Sequence, residues 1–319
     1  MSKTYIIGHQ KPDTDSVVSA LALEYLFKQA PSFNRPNAQA LISDPVNSET
    51  QYLLDKFQVE APQLLSSVKI SAEDQVILVD HNEASQRASG FEESQISEII
   101  DHHKVNLNLN RPIFLNFKAW GSTTSIIYFM MKRFDNQSIV PSKKLAGLMT
   151  AAILSDTIGL KSPTTCEVDQ KYAQQLAKIA QIEDLDEFSL EIFKAKSNIT
   201  HLSPTAIVKN DYKVFEFAQP TFIGQVETVE QEEVLSHLSE LVEAMEEVKQ
   251  EEQVKLIFLA ITDVLRINTK LIVPTANEQK IAQTAFGGQA NNQVLDIGPK
   301  LSRKKEIAPA IEQVLKEIK

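Results

Sequence analysis

Short β-branched runs alternate with helical periodicities through the first two thirds of the chain. Residues 5–7 form a compact apolar run ending at Gly8, and residues 76–79 and 99–100 are similar runs. Such runs, bounded by polar residues, read as buried strands. Val18, Leu21, Ala22, Tyr25 and Leu26 recur at helical spacing. So do Ile127, Met130, Met131 and Phe134, and then Leu145, Leu148, Met149, Ala152 and Ile153. Strand, helix, strand, helix in this order predicts an α/β domain built on a doubly wound, mostly parallel sheet with both faces covered.

Around residues 196–203 the pattern gives way to polar, turn-prone residues followed by Pro204. A domain boundary is expected there, dividing the chain into domains 1–195 and 203–319. Beyond it, residues 213–217 and 221–226 read as paired strands. Val234, Leu235, Leu238, Leu241, Val242, Met245 and Val248 then keep one apolar helix face. Most of the ten glutamates between Glu227 and Glu252 fall on the opposite face, which reads as solvated. Residues 254–261 and 269–273 read as further strands and 307–318 as a closing helix, giving a smaller α/β domain with a mixed sheet.

Composition narrows the function. The 319 residues carry 32 Lys plus Arg against 42 Asp plus Glu, a formal charge of −10. That balance argues against wrapping nucleic acid, where phosphate attraction dominates. A small anionic substrate stays compatible if metals or a local cationic cluster reverse the sign. Cys166 is the only cysteine, so neither an intrachain disulfide nor a thiolate cage can form. The N-terminus lacks a signal-peptide pattern and no window approaches the ~18 uninterrupted apolar residues of a membrane span, so a cytoplasmic protein is expected. With only nine glycines, the chain contains neither G-x-G-x-x-G nor G-x-x-x-x-G-K-[ST], the two common nucleotide cradles.

Histidines and aspartates gather where the predicted elements end. His9, Asp13 and Asp15 lie between the first strand and helix, a position where open α/β sheets bind ligands. Asp13 and Asp15, two apart, point different ways in an extended loop and so suit two adjacent metals. Asp15 or Ser16 is also a candidate for the ordinary helix N-cap. Asp80 ends one apolar strand, where an unpaired charge is costly. Another strand ends in Asp101-His102-His103, an adjacent pair that can split between metal and substrate. Asp156 follows a helix, where a carboxylate opposes the dipole unless a cation is present. Together these clusters point to a two-metal site with mixed imidazole and carboxylate ligands, suited to Mn²⁺, Co²⁺, Fe²⁺ or Zn²⁺. Two such ions activate a bridging hydroxide for in-line attack on phosphorus.

The motifs GHQKPDTDS, VDHNE, IIDHHKV and LSDT, with the C-terminal Ser302-Arg303-Lys304-Lys305, resemble those of family II inorganic pyrophosphatases of the DHH phosphoesterase superfamily. The resemblance runs from His9 to Pro309. DHH specifies only the superfamily; SRKK, in a C-terminal domain of the DHHA2 type, narrows it to pyrophosphatases and their nearest relatives. The resemblance implies His9, Asp13, Asp80 and Asp156 as ligands of one metal, and Asp15, Asp80, His102 and Asp156 as ligands of the other. Asp80 and Asp156 would then touch both ions. It gives His103 a phosphate contact and a proton for the leaving group, and makes Arg303 and Lys304 substrate-binding residues. Lys213 matches a further substrate lysine, with nearby Lys209 as its rival.

The implied reaction is hydrolysis of pyrophosphate to two orthophosphates in a cleft between the domains. The implied metal is Mn²⁺, two per subunit, with Co²⁺ or Mg²⁺ as alternatives and further Mg²⁺ arriving with substrate. A homodimer through the first domain is also implied. The competing reading is a polyphosphatase or another DHH phosphoesterase. The nuclease-type relatives use a GGGH-like motif, whereas Gly287-Gly288 here is followed by Gln289. Only about fifty residues separate Asp101 from Asp156, too few for an inserted pair of nucleotide-binding CBS domains.

Overall fold

The computed structural model describes residues 2–133, 138–196 and 202–317. Phe134, part of the expected boundary segment (residues 197–201) and Ile318 lie outside the described residues. The chain divides into two compact units, residues 1–195 and 196–319.

The first unit runs β1 (Thr4–Ile7), α1 (Thr14–Gln29), β2 (Ala38–Ile42), α2 (Ser48–Phe57), β3 (Gln63–Leu64), β4 (Gln75–Val79), β5 (Ile96–Asp101) and β6 (Phe114–Phe117). The helices α3 (Thr123–Arg133), α4 (Lys143–Asp156), α5 (Glu167–Ala180) and α6 (Leu185–Lys196) complete it. Its strands are ordered β3-β2-β1-β4-β5-β6, and every pairing is parallel. From β1 the chain builds outward to β3 and then returns to lay β4 on the other side of β1. The β1–β4 boundary is therefore the topological switch point, where the loops leaving adjacent strand ends diverge and leave a crevice.

Alternation along the strands sorts the core. Ile6, Ile77, Val79 and Ile100 pack with apolar residues from α1 to α6. Tyr5, Ile7, Leu41, Val76, Leu78 and Ile99 form a separate layer on the other side. Connecting segments, through Leu65, Ala88, Phe91, Leu107 and Leu109, cover that second layer in place of helices. Because α1 is covered nearly all round, polar Thr14, Asp15, Ser16 and Ser19 are buried along with its apolar residues.

The second unit contains α7 (Pro204–Val208), β7 (Tyr212–Glu216), β8 (Pro220–Thr228), α8 (Gln231–Ser236), α9 (Leu238–Glu251), β9 (Leu256–Asp263), β10 (Asn268–Ile272), α10 (Ala276–Phe286), β11 (Val294–Asp296) and α11 (Ala308–Glu317). Its sheet is ordered β11-β10-β9-β8-β7 and is mixed, with β8 and β9 parallel and the other pairs antiparallel. Ile223 and Phe258 pack with residues of α10 and α11. Phe222 and Ile257 pack on the opposite side with residues of α7 and α9. The single helix expected across residues 234–248 is two, because the chain closes α8 and reopens as α9 at His237. A wide turn over Arg303–Ile307 precedes α11, capped by Ser302, whose hydroxyl accepts from the Lys305 N–H at 3.2 Å. Among the described residues, no helix is long and apolar enough to cross a membrane.

Candidate metal centre

The loops leaving β1, β4 and β5 carry His9, Asp80 and His102, the N-cap and first turn of α1 add Asp13 and Asp15, and the last turn of α4 adds Asp156. Asp13 caps α1, accepting the Ser16 N–H at 2.9 Å. The cap is thus Asp13, and Asp15 and Ser16 lie inside the helix. Asp15 does other work. Its two oxygens accept the N–H groups of Thr123 at 2.6 Å and Thr124 at 3.0 Å, so it holds the start of α3. Thr123 also donates its hydroxyl to Asp80 Oδ1 at 3.0 Å. One threonine thereby ties α3 to both carboxylates.

Asp80 sits at φ +63°, a left-handed conformation that Asp and Asn tolerate better than other non-glycine residues. This turn off the end of β4 leaves its carboxylate 1% exposed, with each oxygen facing a different imidazole. Oδ1 lies 3.4 Å from His102 Nε2, and Oδ2 lies 3.6 Å from His9 Nε2. His102 Nε2 is also 3.3 Å from Asp156 Oδ2, and His9 Nε2 is 3.5 Å from Asp13 Oδ2. These separations are long for good N–H···O hydrogen bonds. They suit neighbouring ligands that each stand about 2.1 Å from a common ion.

Both histidines are oriented alike. His9 Nδ1 is 2.8 Å from the Gln10 carbonyl and His102 Nδ1 is 3.0 Å from the Trp120 carbonyl. Donating from Nδ1 assigns Nε2 to the centre, which is how metal-binding imidazoles are usually held. His102 Nε2 is buried without a hydrogen-bond partner among the described residues. Three groups of ligand atoms lie close together: His9, Asp13 and Asp80; Asp15, Asp80, His102 and Asp156; and Asp80, His102 and His103. Asp80 belongs to all three. Asp156 joins the second set and is not grouped with His9 and Asp13. A donor set of imidazole and carboxylate with an orphaned ring nitrogen fits Mn²⁺ or a similar divalent ion.

Electrostatics supports the same fit. Burial and the nearby Asp80 charge push the Asp15 carboxyl well up, and burial with Asp15 and Asp80 does the same to Asp156. Burial alone would raise Asp80, but the facing His102 and His9 imidazoles hold it well below the usual carboxylate range. Burial presses His9 down, yet Asp13 and Asp80 lift it to about 11; His102, buried too, is lifted to about 10 by Asp80, Asp15 and Asp156. Four carboxylates gathered around two imidazoles concentrate negative charge that divalent ions would balance.

His103 is half exposed and sits otherwise. Its Nδ1 lies 2.9 Å from Asp101 Oδ1, the same oxygen that accepts the His103 N–H at 3.1 Å. The hydrogen bond to Asp101 raises its pKa against the effect of burial. Asn82 donates to the other Asp101 oxygen at 2.6 Å. Asp101 is therefore the orienting group for His103 and belongs to neither ligand set containing Asp13 or Asp15. Buried Glu49 accepts hydroxyl hydrogen bonds from Thr14 and from Ser155 at 2.7 Å, bracing the residues beside Asp13, Asp15 and Asp156. The motif reading did not single out Asp101, Asn82, Thr123 or Glu49 for these roles. For Asp101 the D-H-H triplet was the available signal; for the rest the partners are too distant in sequence.

In the second unit Arg303 is buried and Lys304 exposed at the turn before α11. Lys213 lies on β7, with Nζ 5.3 Å from the centre of the Phe215 ring. Lys209 is engaged elsewhere, by Glu252 at 2.7 Å and Glu251 at 3.0 Å.

Residues 3–153 match the DHH family, N-terminal domain, and residues 190–314 match the DHHA2 domain. The manganese-dependent inorganic pyrophosphatase of Methanocaldococcus jannaschii is 36% identical over 316 residues, covering 97% of this chain and 98% of that protein. The chain belongs to the manganese-dependent inorganic pyrophosphatase family. A second relative in this family, from Streptococcus equi subsp. zooepidemicus and named probable manganese-dependent inorganic pyrophosphatase, is 35% identical across 98% of this chain and 99% of its own. The crystal structure of a Methanococcus jannaschii protein assigned to family II inorganic pyrophosphatase aligns with TM-score 0.62 at 34% identity, covering 98% and 99% of the two chains. The fold extends beyond pyrophosphatases: an exopolyphosphatase-related protein from Bacteroides fragilis aligns with TM-score 0.51 at 17% identity, covering 99% of this chain and 92% of that one.

Proposed function

We propose that this protein hydrolyses inorganic pyrophosphate to two orthophosphates in a manganese-dependent reaction. The observation that carries the reading is Asp80, whose two oxygens face the histidines of two different ligand sets. His9, Asp13 and Asp80 would hold one ion; Asp15, Asp80, His102 and Asp156 would hold the other. When bound, manganese supplies charge that draws electrons from the phosphoryl oxygens and acidifies water. Further Mg²⁺ would accompany the substrate.

The protein's own groups do the remaining work. Asp101 fixes His103 through Nδ1 and favours its protonated form, so Nε2 can deliver a proton to the leaving phosphate. Asp80 and Asp156 set the charge of the centre and thereby the position of the attacked phosphorus. Arg303, Lys304 and Lys213 bind the substrate phosphates. Three consecutive cations at Arg303–Lys305 stand where the dipole of a following helix disfavours positive charge, which makes an anion their natural partner. Lys213 is preferred to Lys209, whose charge Glu251 and Glu252 already engage.

The same reading includes a homodimer through the first unit. Its strand β6 lies at the edge of the sheet and exposes Phe114 and Leu115, a surface that pairing with a second copy would cover. A cytoplasmic setting, which would keep the Cys166 thiol reduced, completes it. Initial rates of phosphate release from pyrophosphate, tripolyphosphate and a longer polyphosphate, each with Mn²⁺, test the substrate. A clear preference for pyrophosphate is expected. Faster release from the longer chains would favour the polyphosphatase reading.

A further inference from the structure

Within the basic stretch Arg303–Lys305, Arg303 alone is buried, and one residue grips its guanidinium. Nη1 donates to the backbone carbonyl of Asp211 at 2.6 Å and Nη2 donates to Asp211 Oδ1 at 2.8 Å. Nε has no acceptor among the described residues. The arginine backbone is fixed separately, its N–H donating to Gln225 Oε1 at 3.3 Å. The Gln225 N–H donates in turn to the Asp211 carbonyl at 2.8 Å, and Gln225 Nε2 donates to the Leu301 carbonyl at 3.0 Å. Asp211, Gln225 and Arg303 thus close a ring of hydrogen bonds joining the start of β7 to β8 and to the turn before α11.

A grip on two nitrogens fixes the plane of a guanidinium as well as its position. Asp211 also lies immediately before β7, two residues from Lys213. Its carboxylate is 61% exposed, so the ion pair itself adds little to stability. We propose that Asp211 is a positioning residue, which orients the Arg303 guanidinium for pyrophosphate. The proposal rests on the functional reading above. Asp211 would touch no reacting atom and act only through Arg303.

The test uses the full-length manganese-loaded protein with Asp211→Ala, Asp211→Asn, Arg303→Ala and the double variants. Asp211→Ala should lower kcat/KM for pyrophosphate about tenfold or more, mainly through KM, with metal content and Tm unchanged. Asp211→Asn keeps an oxygen acceptor and should recover part of the loss. In an Arg303→Ala background neither Asp211 substitution should cost anything further, a non-additivity that a merely structural role would not produce. Binding of imidodiphosphate, which reads affinity without turnover, should weaken in parallel.

Unchanged kcat/KM in both Asp211 variants, or full additivity with Arg303→Ala, would overturn the proposal. So would a KM below the parent's, which would mean that Asp211 competes with substrate for the guanidinium. Should Asp211→Ala fail to fold, Asp211→Asn alone and with Arg303→Ala decides. A parent inactive on pyrophosphate overturns the functional reading and this proposal with it. An active parent whose Asp211 variants are indifferent overturns only this one.

Discussion

Replacing Asp80 by Asn removes one charge and almost no volume. Asn tolerates the left-handed backbone at φ +63°, so the turn after β4 should survive. The amide can still accept the Thr123 hydroxyl on one oxygen, but it cannot face both His9 and His102 as a carboxylate does. Each ligand set loses its shared member. Changes even to groups supporting a ligand cost about 10–100-fold in metal affinity, so loss of a shared ligand should cost more. At free Mn²⁺ about 100 times its Kd, each occupied site stabilises the fold by about 2.7 kcal/mol. Two sites therefore contribute about 5 kcal/mol to the parent, and Asp80→Asn should keep no more than about half of that stabilisation. Elemental analysis after gel filtration and the Mn²⁺-dependent shift in Tm read the two quantities directly. Two tightly held ions per chain in Asp80→Asn, with the parent's Tm shift, would refute the shared-carboxylate reasoning.

Other outcomes follow from the same geometry. His103→Gln should retain both ions but lower kcat by about 100-fold or more, with metal content and steady-state rates as the check; loss of metal would make His103 a ligand. Arg303→Ala should leave metal content intact while costing about 2–4 kcal/mol in kcat/KM, with Arg303→Lys recovering only part because an ammonium lacks the planar fork. Without metal His9 is held up to about 11 and His102 up to about 10, so both imidazoles are charged at pH 7. Mn²⁺ binding must then expel about two protons or more per chain, seen by calorimetry in buffers of different ionisation enthalpy. The release should shrink as pH rises through 10–11, and Mn²⁺ affinity should fall as pH is lowered; proton-neutral binding at pH 7 would contradict this.

Some of this was legible in the chain. The apolar runs that became β1, β4 and β5 stand out because buried parallel strands are apolar on both faces. The polar residues following them mark the ends at which a ligand site is built. Strand β2, strand β6 and helices α2, α5 and α6 were not identified: the strands are only five and four residues long, while the helices carry an amphipathic periodicity that went unread. Spacing could separate Asp13 from Asp15, but not show that Asp15 would hold the start of α3, 108 residues away. Nor could spacing decide which ligand set Asp156 would join. Asp211 was visible only as the neighbour of a candidate lysine, because its bond to Arg303 spans 92 residues.

The most direct measurement is a titration of the metal-free protein with Mn²⁺, following phosphate release from pyrophosphate at each addition. Activity should be absent after chelation, rise with added Mn²⁺ and reach its plateau only when two ions are bound per chain. Hydrolysis that persists in excess chelator, or a full rate with a single ion bound, would contradict a two-ion centre built around Asp80.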